Sequence, residues 1–180
     1  MSRIDESKTF IPVRIAVLTV SDTRSLAEDK SGDTLAARVT GAGHILADRK
    51  IVPDERAAIV DQLRTWVADA AVDVILTTGG TGLTGRDVTV EAHREVYEKE
   101  IEAFGTVFTI VSMQKIGTSA VQSRACGGVA AGTYLFALPG SPGACKDAWD
   151  EILKWQFDFR HRPCNFVEIM PRLDENLRRK

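Results

Sequence analysis

The sequence predicts an α/β protein with three layers, an α/β/α sandwich in which helices cover both faces of a mostly parallel central sheet. Short apolar runs rich in β-branched residues alternate with segments of helical periodicity. The chain has 180 residues, of which 44% are hydrophobic, so it is long enough to bury the core of one domain. Because crossovers between parallel strands are right-handed, alternation of strand and helix places helices on both sides of the sheet.

The predicted strands are the apolar runs themselves. Residues 13–20 (VRIAVLTV), 72–78 (VDVILTT) and 133–139 (TYLFALP) are nearly continuous in apolar character, as buried parallel strands are. Residues 44–52 (HILADRKIV) alternate more between polar and apolar positions, which predicts a strand nearer the edge of the sheet.

The predicted helices lie between these runs. Residues 33–39 can begin one, and residues 89–115 can form a long one that is broken near 102–105. The segment after Pro53 carries an apolar stripe at helical spacing, formed by Ile59, Leu63, Trp66, Val67 and Ala70.

The last predicted helix covers residues 144–155, with Ala148, Ile152 and Trp155 on one side. Residues 160–170 (RHRPCNFVEIM) are predicted to be extended. The chain then divides into an N-terminal extension (1–12), one domain (13–168) and a C-terminal tail (169–180), whose end is locally basic.

Composition excludes several classes of protein. The formal net charge is −2 with acidic and basic residues interspersed, so we expect no nucleic-acid-binding face. No apolar run approaches the ~20 residues of a membrane span, and the polar stretch MSRIDESKTF does not resemble a signal peptide. Cys126, Cys145 and Cys164 form no CxxC pair, which predicts reduced, mostly buried thiols and a cytoplasmic protein.

Polar or small residues follow each predicted strand. Ser21 and Asp22 follow the first strand, Asp54 follows the second, and a glycine loop of Gly79, Gly80, Thr81 and Gly82 follows the third; the last strand leads into Gly140, Ser141 and Pro142. Because the carboxyl ends of parallel strands border the ligand crevice of an open sheet, these turns predict a pocket at one edge.

The glycine loop fits two familiar motifs poorly. Residues 80–85 match G-x-G-x-x-G literally, but the dinucleotide fingerprint belongs to the first strand–helix unit, and this is a later one. In a P-loop, Lys and Ser/Thr would stand where this chain has Arg86 and Asp87. A third interpretation keeps the shared physics: backbone N–H groups bind an anion, and Asp87 binds Mg²⁺ or a substrate amine. Alternatively, the glycines only turn the chain and Asp87 only caps a helix.

Several motifs together carry a family resemblance. TTGGTGLTGRDVT, with LTVSDTR…DKSG before it and IGTSAVQSRA…LFALPGSPGACKDAWDEIL…RPCNF after it, resembles the MoaB/MogA family of molybdenum cofactor biosynthesis proteins, and most closely its bacterial MoaB branch. The similarity covers about residues 13–168. It implies a three-layer α/β/α fold, assembly as a homotrimer or homohexamer, and binding of molybdopterin, a pterin dithiolene with a terminal phosphate.

The resemblance also implies a reaction and a site. In catalytic members the molybdopterin phosphate attacks the α-phosphate of ATP and releases pyrophosphate. Residue by residue, it assigns Asp54 and Asp87 as catalytic residues and Mg²⁺ ligands. It assigns substrate binding to Ser21, Asp22, Gly79, Gly80, Thr81, Gly82, Ser123, Arg124, Gly140, Ser141 and Pro142.

Other functions remain open at this point. The segment Leu83–Gly85 and the last turn differ from those of MogA-like members, so a non-catalytic molybdopterin-binding or scaffold protein of the same pathway is the alternative. A generic nucleotide-binding domain would bind ATP or NAD without affinity for molybdopterin. Asp54 also stands where a helix N-cap is expected, and capping alone would explain it.

Overall fold

A computed structural model describes residues 3–175 and confirms the predicted mostly parallel sheet with helices on both faces. The strands are β1 Arg3–Ile4, β2 Arg14–Val20, β3 Ile45–Val52, β4 Val74–Thr78, β5 Lys99–Glu100, β6 Cys126–Ala130, β7 Thr133–Leu138 and β8 His161–Arg162. The helices are α1 Lys30–Gly41, α2 Arg56–Val67, α3 Thr89–Val96, α4 Glu102–Ile116, α5 Pro142–Ala148, α6 Lys154–Gln156 and α7 Phe166–Ile169.

The main sheet has six strands in the order β3-β2-β4-β7-β6-β5. The first four are parallel to one another, and β6 and β5 are antiparallel to their neighbours. In the register of the sheet Val20 is level with Val52, Thr19 with Thr78, and Thr78 with Leu138. The four parallel strands therefore end at the same edge, and the turns that follow them become neighbours.

Alternate residues of the strands enter two separate cores. Ile15 and Val17 of β2 pack on the side of α1, α4 and α5, whereas Ala16 and Leu18 pack on the side of α2. This is the period of two expected when both faces of a sheet are covered by helices. The first core is rich in aromatic rings, among them Tyr134, Phe136, Trp149 and Phe157.

The four predicted strands and the edge position of β3 are confirmed, but some helix boundaries were wrong. The helix after Pro53 ends at Val67, so Ala70 is exposed and outside it. The long predicted helix is broken before residues 102–105: the backbone of Tyr97 becomes extended, and Lys99–Glu100 pairs with β6.

The last long helical segment begins at Pro142 and contains a π-helical turn, Trp149–Leu153, between α5 and α6. The predicted Ala148 is buried, but the turn places Cys145, Trp149 and Leu153 on the buried side and leaves the predicted Ile152 and Trp155 half-buried. The predicted extended segment 160–170 is only partly extended, because Asn165 caps the short helix α7 through a hydrogen bond from the N–H of Glu168.

Strand β6 has no counterpart in the sequence prediction. Its sequence, CGGVA, lacks large apolar residues because neighbouring rings fill the space above its two glycines. A Cβ on Gly127 would lie 2.7 Å from a ring carbon of Phe136, and one on Gly128 would lie 2.4 Å from a ring carbon of Tyr97. Glycine in a strand often marks such a close approach.

The ends of the described chain pack together, since β1 pairs antiparallel with β8. The predicted basic end of the tail falls largely on residues 176–180, outside the described residues. Between residues 3 and 175, no helix combines the length and the apolar character that crossing a membrane requires. All three cysteines are free, with Cys126 and Cys145 buried and Cys164 exposed.

Candidate functional site

Four turns meet at the carboxyl edge of the sheet, and their approach is close enough to require glycine. Gly79 has a φ of +103°, and a Cβ there would lie 2.3 Å from the carbonyl oxygen of Val20. A Cβ on Gly140 would lie 3.1 Å from the Cα of Gly79. The turns after β2, β4 and β7 therefore pack backbone against backbone, as the order of the strands dictates.

The glycine loop presents main-chain donors. The Gly79 N–H donates to the Leu138 carbonyl oxygen at 3.1 Å, and the Thr89 N–H donates to the Gly80 carbonyl oxygen at 2.9 Å. Within residues 3–175 no acceptor receives a hydrogen bond from the N–H of Gly80 or Thr81. These two groups are available to bind an anion.

A cavity of about 420 Å³ opens over this loop. Of the residues predicted to form the site, it brings together Ser21, Gly79, Gly80, Thr81, Gly82, Asp87, Ser123, Gly140 and Ser141. The remaining predicted residues, Asp22, Asp54, Arg124 and Pro142, lie beside the cavity rather than in its lining.

Asp87 lies at the cavity and organises the end of the glycine loop. Its Oδ2 accepts hydrogen bonds from the Thr84 hydroxyl at 2.6 Å and the Thr84 N–H at 2.8 Å. These bonds lower the pKa of Asp87, and the bond from the hydroxyl has the largest effect. The carboxylate is therefore kept ionised. A Cβ on Gly82 would lie 2.7 Å from Asp87 Oδ2, so glycine leaves room for this carboxylate. The helix-cap alternative is wrong, because Val88 is the N-cap residue of α3.

Asp54 is held by Asp22 and not by a helix. The Asp22 N–H donates to Asp54 Oδ2 at 2.9 Å, and the Asp54 N–H donates to Asp22 Oδ1 at 3.0 Å. The capping alternative is wrong here too, because α2 has Glu55 as its N-cap and no side-chain cap. A Cβ on Gly80 would lie 3.2 Å from Asp54 Oδ1, which places this carboxylate against the glycine loop.

The pKa values of Asp54 and Asp87 are shifted in opposite directions. The pKa of Asp54 is raised, first by burial and then by the negative charges of Asp22 and Asp87. The hydrogen bond from the Asp22 N–H and the charge of Arg86 lower it, but by less. Both carboxylates lie against the same glycine loop, Asp54 beside Gly80 and Asp87 beside Gly82. A divalent cation bound between them would relieve this repulsion.

Asp22 and Arg86 form an ion pair on the rim. Arg86 Nη2 lies 2.6 Å from Asp22 Oδ2, and this bond is the main cause of the lowered pKa of Asp22. The pair joins the turn after β2 to the segment that follows the glycine loop. Both side chains are well exposed, so the ion pair orients the turn more than it stabilises the fold.

Arg124 braces the glycine loop from outside the cavity. Its guanidinium donates to the carbonyl oxygens of Gly82 and Asp87, each at 2.8 Å, and to that of Thr81 at 3.3 Å. It also forms an ion pair with Glu91 on α3. These contacts fix the loop and the start of α3 relative to each other, so Arg124 positions the site without lining it.

The last turn shows a similar division. Ser141 lines the cavity and also caps α5, its Oγ accepting a hydrogen bond from the Ala144 N–H at 3.2 Å. Pro142 occupies the first turn of α5, where a missing N–H costs nothing. Pro142 therefore helps to begin α5 and does not line the cavity.

Sequence reasoning missed one wall of the cavity and its cation. Phe108, Ser112 and Ile116 of α4, with Ser119 and Gln122 of the following 3₁₀ turn, form that wall, and Arg24 lies in the lining near Gly140. A signal existed for α4, whose apolar residues surround the helix and are not confined to one stripe, as in helices covered on more than one side. Arg24 ends the motif LTVSDTR, but the sequence prediction did not assign this arginine to the site.

The donor set bears on the predicted Mg²⁺ site. In the described part of the chain no group of three or more His, Cys, Asp or Glu side chains could hold a metal. Mg²⁺ is commonly held by one or two carboxylates together with substrate phosphates, and Asp54 and Asp87 supply hard oxygen atoms of that kind. The residues therefore fit Mg²⁺ brought with a phosphate ligand, rather than a cage made of protein groups alone.

Comparison with known proteins agrees with this geometry. Residues 16–158 match the family model described as "Probable molybdopterin binding domain". The chain is 49% identical over 160 residues to molybdenum cofactor biosynthesis protein B of Escherichia coli (strain K12), over 89% of this chain and 94% of that protein. It is 42% identical over 147 residues to the protein of the same name from Staphylococcus epidermidis, over 79% of this chain and 84% of that protein.

Solved structures give the same result. A crystal structure of molybdenum cofactor biosynthesis protein B superposes with a TM-score of 0.80 at 34% identity, covering 96% of this chain and all of that one (100%). The tungsten cofactor synthesizing protein MoaB from Pyrococcus furiosus superposes with a TM-score of 0.67 at 33% identity, covering 78% and 90% of the two chains.

Proposed function

Because this chain belongs to the MoaB/MogA family of molybdenum cofactor biosynthesis proteins, which share a molybdopterin-binding domain, we propose that it binds molybdopterin and adenylylates it with Mg²⁺ and ATP. The observation that carries the proposal is the cavity over the glycine loop, where free main-chain donors and an ionised carboxylate meet. Such a site suits a ligand that carries both a phosphate and the amino group of a pterin.

In the proposed reaction a terminal phosphate oxygen of molybdopterin attacks the α-phosphorus of ATP. One P–O bond forms, the bond between the α-phosphorus and the oxygen bridging to the β-phosphate breaks, and pyrophosphate leaves. Phosphoryl transfer of this kind needs positioning and charge stabilisation more than covalent help from the protein. Bound Mg²⁺ would neutralise phosphate charge in this site.

The chain's own residues have separate tasks in this proposal. The N–H groups of Gly80 and Thr81 bind phosphate oxygens, and the hydroxyls of Ser21, Ser123 and Ser141 complete the polar lining. Asp54 and Asp87 are the Mg²⁺ ligands, and Asp87 can instead accept a hydrogen bond from the pterin. Asp22, Arg124 and Pro142 hold these groups in place through the contacts described above.

A non-catalytic role in the same pathway is the second candidate. The observation that favours it is that Asp54 lies beside the cavity and not in its lining. Such a protein would bind molybdopterin and leave ATP unchanged.

One experiment separates the two functions. The purified protein is incubated with molybdopterin, ATP and Mg²⁺, and pyrophosphate and the adenylylated pterin are measured, with molybdopterin binding recorded in parallel. Adenylylation predicts both products, and their formation stops when Mg²⁺ is chelated. Binding of molybdopterin without formation of either product would contradict the adenylylation and support the non-catalytic role.

We also propose that the chain assembles as a homotrimer or homohexamer. Large apolar side chains on α4 and the turn after it are exposed: Val107, Ile110, Met113, Ile116 and Val121. A second copy of the chain is the occupant we propose for this patch, since monomers rarely expose a contiguous apolar surface of this kind. Light scattering after chromatography should show an oligomer that Ile110→Lys dissociates, and a monomeric wild-type protein would contradict the proposal.

A further inference from the structure

Arg24 lies at the cavity with unused hydrogen-bonding capacity. Its Nη1 donates to the Ser31 hydroxyl at 3.1 Å, and its Nη1 and Nη2 reach the Gly140 carbonyl oxygen at 3.4 and 3.3 Å. These are neutral acceptors, and among residues 3–175 no carboxylate forms an ion pair with this guanidinium. A guanidinium carries five N–H donors, and these contacts use three of them, so the Nε–H and one Nη2–H remain for a ligand.

The cavity is electrostatically polarised. Of the described residues that line it, only Arg24 is cationic and only Asp87 is anionic. Arg24 donates a hydrogen bond to the Gly140 carbonyl oxygen, in the turn after β7. Asp87 lies beside Gly82, at the far end of the glycine loop. A ligand with a phosphate at one end and a hydrogen-bond donor at the other has one favourable orientation in such a cavity.

Arg24 also borders a second, more open cleft of about 520 Å³, which shares Ser21 and Arg24 with the main cavity. The other cations of this cleft are already neutralised: Arg49 pairs with Asp29 and Asp33, and Lys50 lies 3.6 Å from Asp48. Arg24 is thus the cation in this lining, among the described residues, that carries no carboxylate partner.

We propose that Arg24 is the phosphate-recognition residue of this site, binding a phosphate monoester or phosphoanhydride oxygen at the border of the two cavities. This proposal rests on the proposed function for the identity of its ligands, molybdopterin and ATP. It orients molybdopterin with its phosphate toward Arg24 and its pterin toward Asp87. The planar guanidinium suits this task, because it binds phosphate through paired hydrogen bonds.

The test compares binding of three probes by calorimetry: molybdopterin, the same pterin after phosphatase treatment, and Mg²⁺-ATP. The variants are Arg24→Gln, Arg24→Lys and the matched control Arg64→Gln, which removes an exposed arginine of α2 that pairs with Glu95 of α3. Arg24→Gln should weaken binding of at least one phosphate-bearing probe by about tenfold or more, the scale of a lost hydrogen bond to a charged group. The dephosphorylated pterin should bind the variant and the wild type equally.

The pattern of losses identifies the source of the phosphate. Loss of molybdopterin binding alone assigns Arg24 to the pterin phosphate, loss of ATP binding alone assigns it to the nucleotide, and loss of both places it where the two meet. Arg24→Lys should recover part of the affinity, because it restores charge without the paired donors, and Arg64→Gln should match the wild type.

Three results would overturn the proposal: unchanged binding of both phosphate probes by Arg24→Gln, an equal loss for the dephosphorylated pterin, or no binding of either phosphate probe by the wild type. Failure of the catalytic proposal looks different. A wild-type protein that binds the probes through Arg24 but forms no pyrophosphate keeps this residue's role and loses the adenylylation.

Discussion

Asp22 and Asp54 hold each other through two reciprocal hydrogen bonds, each backbone N–H donating to the other residue's carboxylate at 2.9 and 3.0 Å. The two carboxylates lie in adjacent turns because β2 and β3 are neighbours in the sheet. Arg86 neutralises one of them directly. The charge of Asp54 is therefore the less compensated of the two, which is the arrangement expected of a carboxylate kept for a ligand.

Asp54→Asn should separate function from stability. The raised pKa of Asp54 means that its ionised form is less favourable in the folded protein than in the unfolded chain. The stability linked to this group is present below the unfolded value of 3.8 and is lost as pH rises through the folded pKa. Asparagine keeps an oxygen that accepts from the Asp22 N–H and has no charge to bury. We expect adenylylation to fall sharply while the unfolding midpoint at pH 7 equals or exceeds that of the wild type.

Asp22→Asn is the matched control for this measurement, because the pKa of Asp22 is lowered, first by its bond from Arg86. Loss of the Asp22 charge should lower the thermal unfolding midpoint at pH 7. This change is opposite in sign to the one expected for Asp54→Asn. A less stable Asp54→Asn, by the same amount at pH 7 and pH 4, would mean that the hydrogen bond to the carboxylate outweighs the cost of its charge.

Asp87→Asn should keep the fold and lower turnover. An asparagine oxygen can still accept from the Thr84 N–H, so the end of the glycine loop retains one of its bonds. The ionised charge at the cavity is lost, and we expect turnover to fall by ~10²-fold or more, the scale for removing one preorganised electrostatic group. Pyrophosphate release measures this, with Asp61→Asn on the exposed side of α2 as the control. A rate like that of the wild type would refute the role of Asp87.

The central strands and the convergence of the turns were predictable, because both follow from local patterns and from the rule for parallel sheets. Residues 13–20 and 133–139 are apolar enough to be central strands, and parallel strands must end at one edge. The antiparallel strand β6 could not be predicted, because the rings of Phe136 and Tyr97, from elsewhere in the chain, fill the space above its glycines.

The partners within the site were less predictable than its location. Asp54 has the residue type and position of a helix cap, yet its partner is the N–H of Asp22, 32 residues away. Arg24 forms its contact with Gly140 across 116 residues. Contacts of this length depend on how turns pack after the sheet has formed, and local propensity carries no information about them.

Gly79→Ala should be strongly destabilising. The left-handed φ of +103° is unfavourable for alanine, and the added Cβ would lie 2.3 Å from a backbone oxygen that cannot move away without shifting β2. We expect a loss of ~2 kcal/mol or more in the free energy of unfolding by urea denaturation. Gly143→Ala is the control: it lies in α5 with no atom within 4 Å of the new Cβ, and should be neutral or stabilising by up to ~1 kcal/mol. Equal effects of the two substitutions would show that the turns can separate.

The stability of the protein should fall as pH is lowered from about 6.5 toward 3, because His93 is buried in its neutral form. Its Nε2 contacts the Thr77 hydroxyl at 2.9 Å and its Nδ1 the Tyr97 hydroxyl at 3.0 Å, with no carboxylate among these partners. Burial lowers the pKa of His93 from 6.5 to about 3.

Within that window the unfolded chain takes up a proton at this residue and the folded protein does not. The stabilising contribution is complete above pH 6.5 and is lost as pH falls, with a slope approaching ~1.4 kcal/mol per pH unit for one proton. His93→Gln retains a hydrogen-bonding side chain but cannot titrate, so urea unfolding at pH 7 and pH 5 should show a smaller loss for the variant. His44, whose pKa burial also lowers, is present in both proteins and cancels from the comparison. The same pH dependence in wild type and variant would show that water or rearrangement lets the folded protein accept a proton at His93.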